Sequence, residues 1–274
     1  MKITISPRTA RAARAAINRA ARRQAGPTET STNWRAVWIR KGTEQELKTL
    51  TLADFFKVNG WDTGAGQMDQ AKFLKLVGYF RKRLGVRRDH SLLEVGCGAG
   101  LFLLPFAQSG VKVGGVDYSK TLVEIAKAVL PGGSRVRHSE ANRLPFAAGS
   151  FDHAASNGVF LYFPSWSYAE QALDEMLRVL KPGGRCLITD LNDLKKKTLA
   201  ERLRRKNLGV KKYRQMYKGL HHMYYRQEWF ARYARQRGLV FEVASQKKAN
   251  NYGNSAWRFM FYFEKPAAPA LLAA

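Results

Sequence analysis

The run Leu92-Leu93-Glu94-Val95-Gly96-Cys97-Gly98-Ala99-Gly100-Leu101 decides the fold of this chain. Apolar positions lead into an acid, three glycines fall at alternate positions, and apolar residues then resume at helical spacing. That order predicts a buried strand, a tight glycine turn and a helix start. Glycine lets the backbone come close to a ligand, and a helix N-terminus presents unpaired N–H groups. Many nucleotide sites share such a turn, so its meaning depends on the segments that stand at fixed distances beyond it.

A second apolar strand at 111–116 ends in Asp117-Tyr118-Ser119. An acid at that point, about 20 residues past the glycine turn, suits hydrogen bonds to two ribose hydroxyls. Tyr118 is then placed to lie against a base. A third strand near 134–138 leads into Glu140-Ala141-Asn142-Arg143-Leu144-Pro145-Phe146, and a fourth occupies 151–156. A helix over 166–180, the turn Lys181-Pro182-Gly183-Gly184 and a fifth strand over 185–190 come next.

Linked in this order, the segments resemble the class I S-adenosylmethionine-dependent methyltransferases, in their small-molecule, methyltransferase-11/25-like branch. The resemblance covers roughly residues 92–190. It rests on E-x-G-x-G-x-G, V-D-Y-S, L-P-F-x(4)-F-D and R-V-L-K-P-G-G. It implies an α/β, Rossmann-like fold: a seven-stranded, mostly parallel sheet with the last strand antiparallel and helices on both faces. The implied cofactor is S-adenosyl-L-methionine. Gly96, Gly98 and Gly100 would pass its methionine part, Asp117 would hold the ribose, and Glu140, Ala141 and Asn142 would bind the adenine. Glu94 would fix the loop and reach toward the amino end of the methionine. Cys97, Tyr118 and Asn157 complete the implied cofactor-binding set. A dinucleotide fingerprint spaces its glycines G-x-G-x-x-G, whereas this loop reads G-x-G-x-G and no second nucleotide half succeeds it.

The chain of 274 residues carries a net charge of +26, and the charge is unevenly placed. Residues 1–28 hold seven Lys or Arg and no acid, and residues 195–237 hold fifteen against Glu201 and Glu228. The excess therefore sits on two appendages around an ordinary core, which suggests an acidic partner or a solvated basic face. No apolar run approaches the ~20 residues needed to cross a bilayer, and no apolar signal-peptide core opens the chain. The two cysteines, Cys97 and Cys186, offer neither a disulfide framework nor a metal-ligand pair. The expectation is a cytoplasmic protein without a metal.

Four regions are expected. A basic Ala/Arg-rich tail spans 1–28; its helix at 9–25 has almost no large apolar residue besides Ile17, so it should fray or lie on a surface until Gly26-Pro27 breaks it. An Arg-rich, acid-free start of this kind also resembles an organelle transit peptide. A helical preface or cap spans 29–88, with Trp34, Val37 and Trp38 at helical spacing, then Leu47, Leu50, Leu52, Phe55 and Phe56, a loop over 59–66 whose Trp61 is placed to line a pocket, and a helix over 68–84. The methyltransferase domain spans 89–265 and carries a basic insert at 191–225, and a short tail covers 266–274. Strands six and seven are expected at 239–245 and 256–264, with the last crossover helix at 227–237.

Methyl transfer is an in-line displacement, for which the protein supplies proximity, alignment and a dry site. A helix entering the last crossover must start at the sheet edge where ligands bind, so Leu220-His221-His222-Met223-Tyr224-Tyr225 should border the acceptor. His221, His222 and Tyr224 are the catalytic candidates, because histidine titrates near neutrality, with Tyr162, Asp190 and Asn192 as further lining residues. Ser156-Asn157-Gly158-Val159 stands where nucleobase amino methyltransferases carry N/D-P-P-Y/F, and no cysteine lies near strand four. These features favour a small-molecule acceptor, and the basic insert would suit an acidic one. An RNA-modifying enzyme using the basic arms, and a cofactor-binding regulator without catalysis, remain the open alternatives.

Overall fold

The computed structural model describes residues 5–23, 34–40, 51–61, 68–248 and 254–267. Its centre is a seven-stranded sheet in the order β3-β2-β1-β4-β5-β7-β6. The strands are β1 (Ser91–Val95), β2 (Lys112–Asp117), β3 (Arg135–His138), β4 (Phe151–Asn157), β5 (Leu180–Asn192), β6 (Val240–Ser245) and β7 (Arg258–Glu264). The first five run parallel, and β7 is antiparallel to both of its neighbours.

Successive side chains of a strand point to opposite faces, and the sheet shows this directly. Leu92, Val113, Ala155 and Leu187 join one core layer, with helices α4 (Gln70–Leu84), α5 (Leu104–Gln108) and α6 (Lys120–Val129). Leu93, Val116, Ala154 and Ile188 join the other, with α7 (Trp166–Val179) and α10 (Gln227–Gln236). Both faces are covered, which is why the central strands read as near-continuous apolar runs.

Three local expectations are corrected. The helix after the glycine turn begins only at Leu104, because Pro105 has no N–H to return to the Leu101 carbonyl and sits in the first turn of α5. Strand five starts at Leu180 rather than at 185, absorbing the Lys-Pro-Gly-Gly turn. The N-terminal helix α1 (Pro7–Arg23) does not stand off the surface: Ala13, Ala16 and Ile17 are each at most 2% exposed. They belong to the same core layer as the Leu122, Ile125 and Val129 face of α6. Alanines let two helices approach closely, so this stripe packs without bulky side chains. Gly26, Pro27, Leu47 and Leu50 lie outside the described residues.

This docking has a measurable consequence. Ile17→Ser is expected to destabilise the protein by about 2–3 kcal/mol, through lost apolar burial and a buried hydroxyl. Chemical denaturation followed by circular dichroism tests it; an unchanged midpoint would mean that α1 contributes nothing to the core.

Two short helices, α2 (Trp34–Arg40) and α3 (Leu52–Val58), form the described part of the preface. Thr51 and Asp54 close a capping box at the start of α3, satisfying the donors a helix N-terminus leaves open. The insert supplies α8 (Lys197–Leu208) and α9 (Val210–Met216). Among the described residues no helix is long and apolar enough to cross a membrane.

Candidate active site

Parallel β1, β2, β4 and β5 bring Glu94, Asp117, Asn157 and Asp190 to one edge of the sheet. The chain order reverses direction between β1 and β4, and ligands bind at such a switch point. A cavity of about 550 Å³ opens there, lined by the glycine loop, by α2 and α3, and by the segment after α9. That is the size of a pocket for a small organic ligand.

The loop is held open by geometry that side chains would forbid. Gly96, Gly98 and Gly100 all have positive φ, at 77°, 51° and 81°. A Cβ on Gly98 would stand 2.7 Å from Asn59 Oδ1, so a side chain there would close the cradle. Asp117 fastens the loop: its Oδ2 accepts from the Gly98 N–H at 3.0 Å and its Oδ1 from the Ser119 N–H at 2.8 Å. Each oxygen keeps a further lone pair for a hydroxyl donor. Asn59, at the end of α3, accepts from the Ala99 N–H at 3.2 Å and donates to the Phe55 carbonyl at 2.8 Å. The preface is thereby tied to the loop.

Glu94 makes no hydrogen bond to the loop among the described residues, against one part of its expected role. It is buried and lines the cavity, and its Oε2 has no hydrogen-bond partner. Among the described residues, hydrogen-bonded anchoring of the loop falls to Asp117 and Asn59, and Glu94 faces the cavity. Burial, followed by the neighbouring Asp117 charge, pushes the Glu94 carboxyl well above the usual range. Asp117 is itself pushed up to about 6 by burial, against the pull of its two backbone hydrogen bonds.

Of the expected cofactor residues, Glu94, Gly96, Cys97, Gly98, Asp117, Tyr118, Glu140, Ala141 and Asn157 line this cavity. Gly100 and Asn142 are not among its lining residues: Gly100 faces Ala126 and Leu130, and the Asn142 amide donates to Gln171 at 2.8 Å. Arg35 lines the cavity end that holds Tyr118 and Glu140. It pairs with Glu140 at 2.6 Å, and its guanidinium lies 5.0 Å above the Tyr118 ring. Glu140 also accepts from the Tyr168 hydroxyl at 2.8 Å.

The opposite end is aromatic. Trp34 stacks on His222 with centroids 4.6 Å apart, and both rings meet Tyr162. Trp38 packs edge-on against Tyr162 at 5.3 Å. The Trp34 indole donates to the His221 carbonyl at 3.0 Å, so α2 straps the cavity from the Tyr118–Glu140 end to the post-α9 segment. Gly219, His221, His222 and Met223 all line it. The segment is pinned to the sheet, with Met223 N–H donating to the Leu161 carbonyl and Tyr225 N–H to that of Asn192.

The three catalytic candidates separate sharply. His221 borders the cavity with an exposed side chain. His222 lies inside the wall, and burial, followed by the charges of Arg204 and Arg258, holds it well below its ordinary pKa. It is therefore neutral and a poor proton acceptor, since its cation is disfavoured. Tyr224 is not a lining residue; its hydroxyl accepts from Arg204 at 2.8 Å. No group of metal-ligating side chains occurs among the described residues. Trp34, Arg35, Trp38 and Asn59 are lining residues that the sequence alone does not assign to the site. The Trp34/Trp38 helical pair ahead of the domain is the signal for two of them.

Comparison with known proteins agrees with this geometry. The methyltransferase domain family matches residues 93–188. A demethylmenaquinone methyltransferase of Clavibacter sepedonicus is 36% identical over 105 residues, covering 37% of this chain and 41% of its own length. The O-methyltransferase ResE of Aspergillus sclerotiorum is 30% identical over 152 residues, covering 53% and 56%. The chain thus spans about half the length of the curated relatives it matches. Among solved structures, a chain of the complex between the Haloferax volcanii Trm112 methyltransferase activator and a methyltransferase gives a TM-score of 0.58 at 15% identity, over 86% of this chain and all of the other. An S-adenosylmethionine-dependent methyltransferase of Methanosarcina mazei gives 0.52 at 17%, over 69% and 98%. At these identities the structural likeness shows the fold alone.

Proposed function

We propose that this chain, whose residues 93–188 form a class I S-adenosylmethionine-dependent methyltransferase domain, methylates a small-molecule acceptor bound between Trp34, Tyr162 and His222. The carrying observation is one cavity with a glycine cradle, the buried Glu94 and the half-buried Asp117 at one end and an aromatic wall at the other. The residues fit the cofactor: Asp117 has free acceptor capacity for ribose hydroxyls, and Glu94 offers an unpartnered carboxyl oxygen to an ammonium. When bound, S-adenosylmethionine supplies an electrophilic methyl group on a cationic sulfur, which leaves as a neutral thioether as the acceptor takes the methyl and releases its proton.

The chain's own residues supply position and dryness. Trp34, Trp38 and Tyr162 exclude water from the transfer line, which strengthens every electrostatic interaction inside. Tyr162, pushed up to about 12 by burial, stays protonated and serves as a hydrogen-bond donor. His222, neutral and ring-stacked, orients the acceptor instead of ionising it. Its titration gives no pH dependence near neutrality, so any such dependence of the rate belongs to the acceptor or to the cofactor acids.

Glu94 gives a direct signature of this reading. Burial and the Asp117 charge favour its neutral form in the free protein, and an ammonium placed beside it favours the carboxylate. Binding of S-adenosylmethionine is therefore expected to release a proton. Calorimetry at neutral pH in two buffers of different ionisation enthalpy measures this, and Glu94→Gln is expected to remove the release and weaken binding about tenfold or more. Equal heats in both buffers would contradict the role. Tritiated methyl transfer into fractionated cell extract tests the acceptor class: label in a small molecule supports the proposal, and label in RNA overturns it.

A further inference from the structure

We infer that the acceptor carries an anionic group, a carboxylate or a phosphate, recognised by Arg204 together with Arg258 behind the His222–Tyr162 wall. The inference rests on the methyl-transfer reading for the word acceptor, but the anion site stands on its own residues.

Arg204, on α8, is only 7% exposed. Its Nη1 donates to the Tyr224 hydroxyl at 2.8 Å, and its Nη2 is buried without a partner among the described residues. No carboxylate pairs with it among the described residues; the nearby Glu201 is engaged by Arg205 at 3.8 Å. Arg258, on β7 and likewise 7% exposed, pairs with Asp190 at 2.8 Å. Among the described residues Arg258 thus has a carboxylate partner and Arg204 has none, and a buried cation without a counter-ion is among the costliest arrangements in a protein.

The surrounding groups are short of acceptors too. Gln246 accepts from the Asp190 N–H at 3.2 Å, which fixes its amide orientation and leaves Nε2 unpartnered. The indole Nε1 of Trp257, next to Arg258 in sequence, is also buried without an acceptor. Asn192 Oδ1 is the one unsatisfied acceptor of the cluster, its amide donating to the Met223 carbonyl at 3.0 Å. Among the described residues, idle donors outnumber the one idle acceptor around the unpaired charge of Arg204, which is the pattern an anion satisfies.

The cluster adjoins the cavity. Gly158 lines the cavity, and a Cβ on it would stand 3.5 Å from Asp190 Oδ2, the atom that pairs with Arg258. Asp190 has a φ of +65°, a strained conformation for a residue with a side chain, and such strain concentrates at functional sites. Both arginines also act on His222 and Tyr162, which form the cavity wall. Arg204 additionally sits in the most basic stretch of the chain, whose field draws anions toward this face.

The test uses the full-length protein saturated with S-adenosylhomocysteine, at constant ionic strength set with sodium chloride. Benzoate, phenyl phosphate and neutral benzyl alcohol are titrated by saturation-transfer NMR, the two anions distinguishing carboxylate from phosphate. At least one anion is expected to bind tenfold or more tightly than the alcohol, and Arg204→Met is expected to remove that advantage without changing the alcohol's affinity. Equal binding of all three probes, binding of none, or an anion preference that survives Arg204→Met overturns the inference. Should Arg204→Met fail to fold, the wild-type preference and the weakening in Arg204→Lys decide in its place. Failure to bind S-adenosylhomocysteine sinks the methyl-transfer reading instead, and the anion arms run without it still decide this inference.

Discussion

Asp117→Ala is expected to weaken S-adenosylmethionine binding by about 10²–10⁴, because two charge-assisted hydrogen bonds to hydroxyls are lost at roughly 1.5–3 kcal/mol each. The loss is compounded structurally, since the same carboxylate accepts from the Gly98 and Ser119 N–H groups. Asp117→Asn separates the two contributions: it keeps the size of the side chain and removes its charge. Calorimetric titration of both variants measures the effect, and wild-type affinity in Asp117→Ala would remove this residue from the site.

The acid also sets a pH dependence. Burial pushes Asp117 up to about 6 from its ordinary value of 3.8. Ionising it therefore costs the free protein stability: its contribution is most favourable below 3.8, declines as pH rises to about 6, and is flat above. Hydroxyl donors from the cofactor favour the carboxylate, so binding lowers the pKa and releases a proton. Beside the dependence that Glu94 adds, the Asp117 contribution to affinity is expected to rise with pH up to about 6 and then level off. In Asp117→Asn that rise should vanish.

Gly96→Ala is expected to destabilise the fold by about 3 kcal/mol or more and to abolish cofactor binding. The φ of +77° is a left-handed conformation that costs an L side chain roughly 1–2 kcal/mol. The added methyl would overlap the Val159 side chain, whose Cγ1 stands 2.8 Å from the ideal Cβ position, and relieving such an overlap typically costs ~1–3 kcal/mol. Val159 lines the cavity, so its displacement also changes the shape of the site. Thermal melting with and without S-adenosylhomocysteine reads both effects; a variant with wild-type melting and the usual ligand-induced shift would show that the loop tolerates a side chain.

Local chemistry is legible in the sequence to a considerable depth. The alternation of Leu92 and Leu93 between the two core layers, the glycine turn and the acid closing strand two all come from short-range spacing. The placement of His221, His222 and Met223 at the cavity comes from topology, because a crossover helix has to start at the ligand edge of the sheet, whereas Leu220, Tyr224 and Tyr225 of the same expected stretch do not line it. The family resemblance gives Glu94 to the loop, yet its Oε2 is unpartnered among the described residues. A strand position says which face a carboxyl takes, and does not say what meets it there.

What the amino-acid sequence determined by itself was therefore the backbone plan: a Rossmann-like sheet, its cofactor edge, and the acids and glycines on that edge. Those features are encoded by spacings of two, four or about twenty residues, within which steric and hydrogen-bonding rules are nearly context-free. Only the tertiary structure decided the rest. It brought Trp34 onto His222 and Asn59 onto Ala99, and it turned Tyr224 toward Arg204. It docked α1 through small alanines, whose packing value lies in close approach and is invisible to a search for large apolar residues. It also made His222 neutral, since a histidine's charge at a given pH is fixed by burial and by neighbouring cations, here Arg204 and Arg258, which lie 18 or more positions away in the chain.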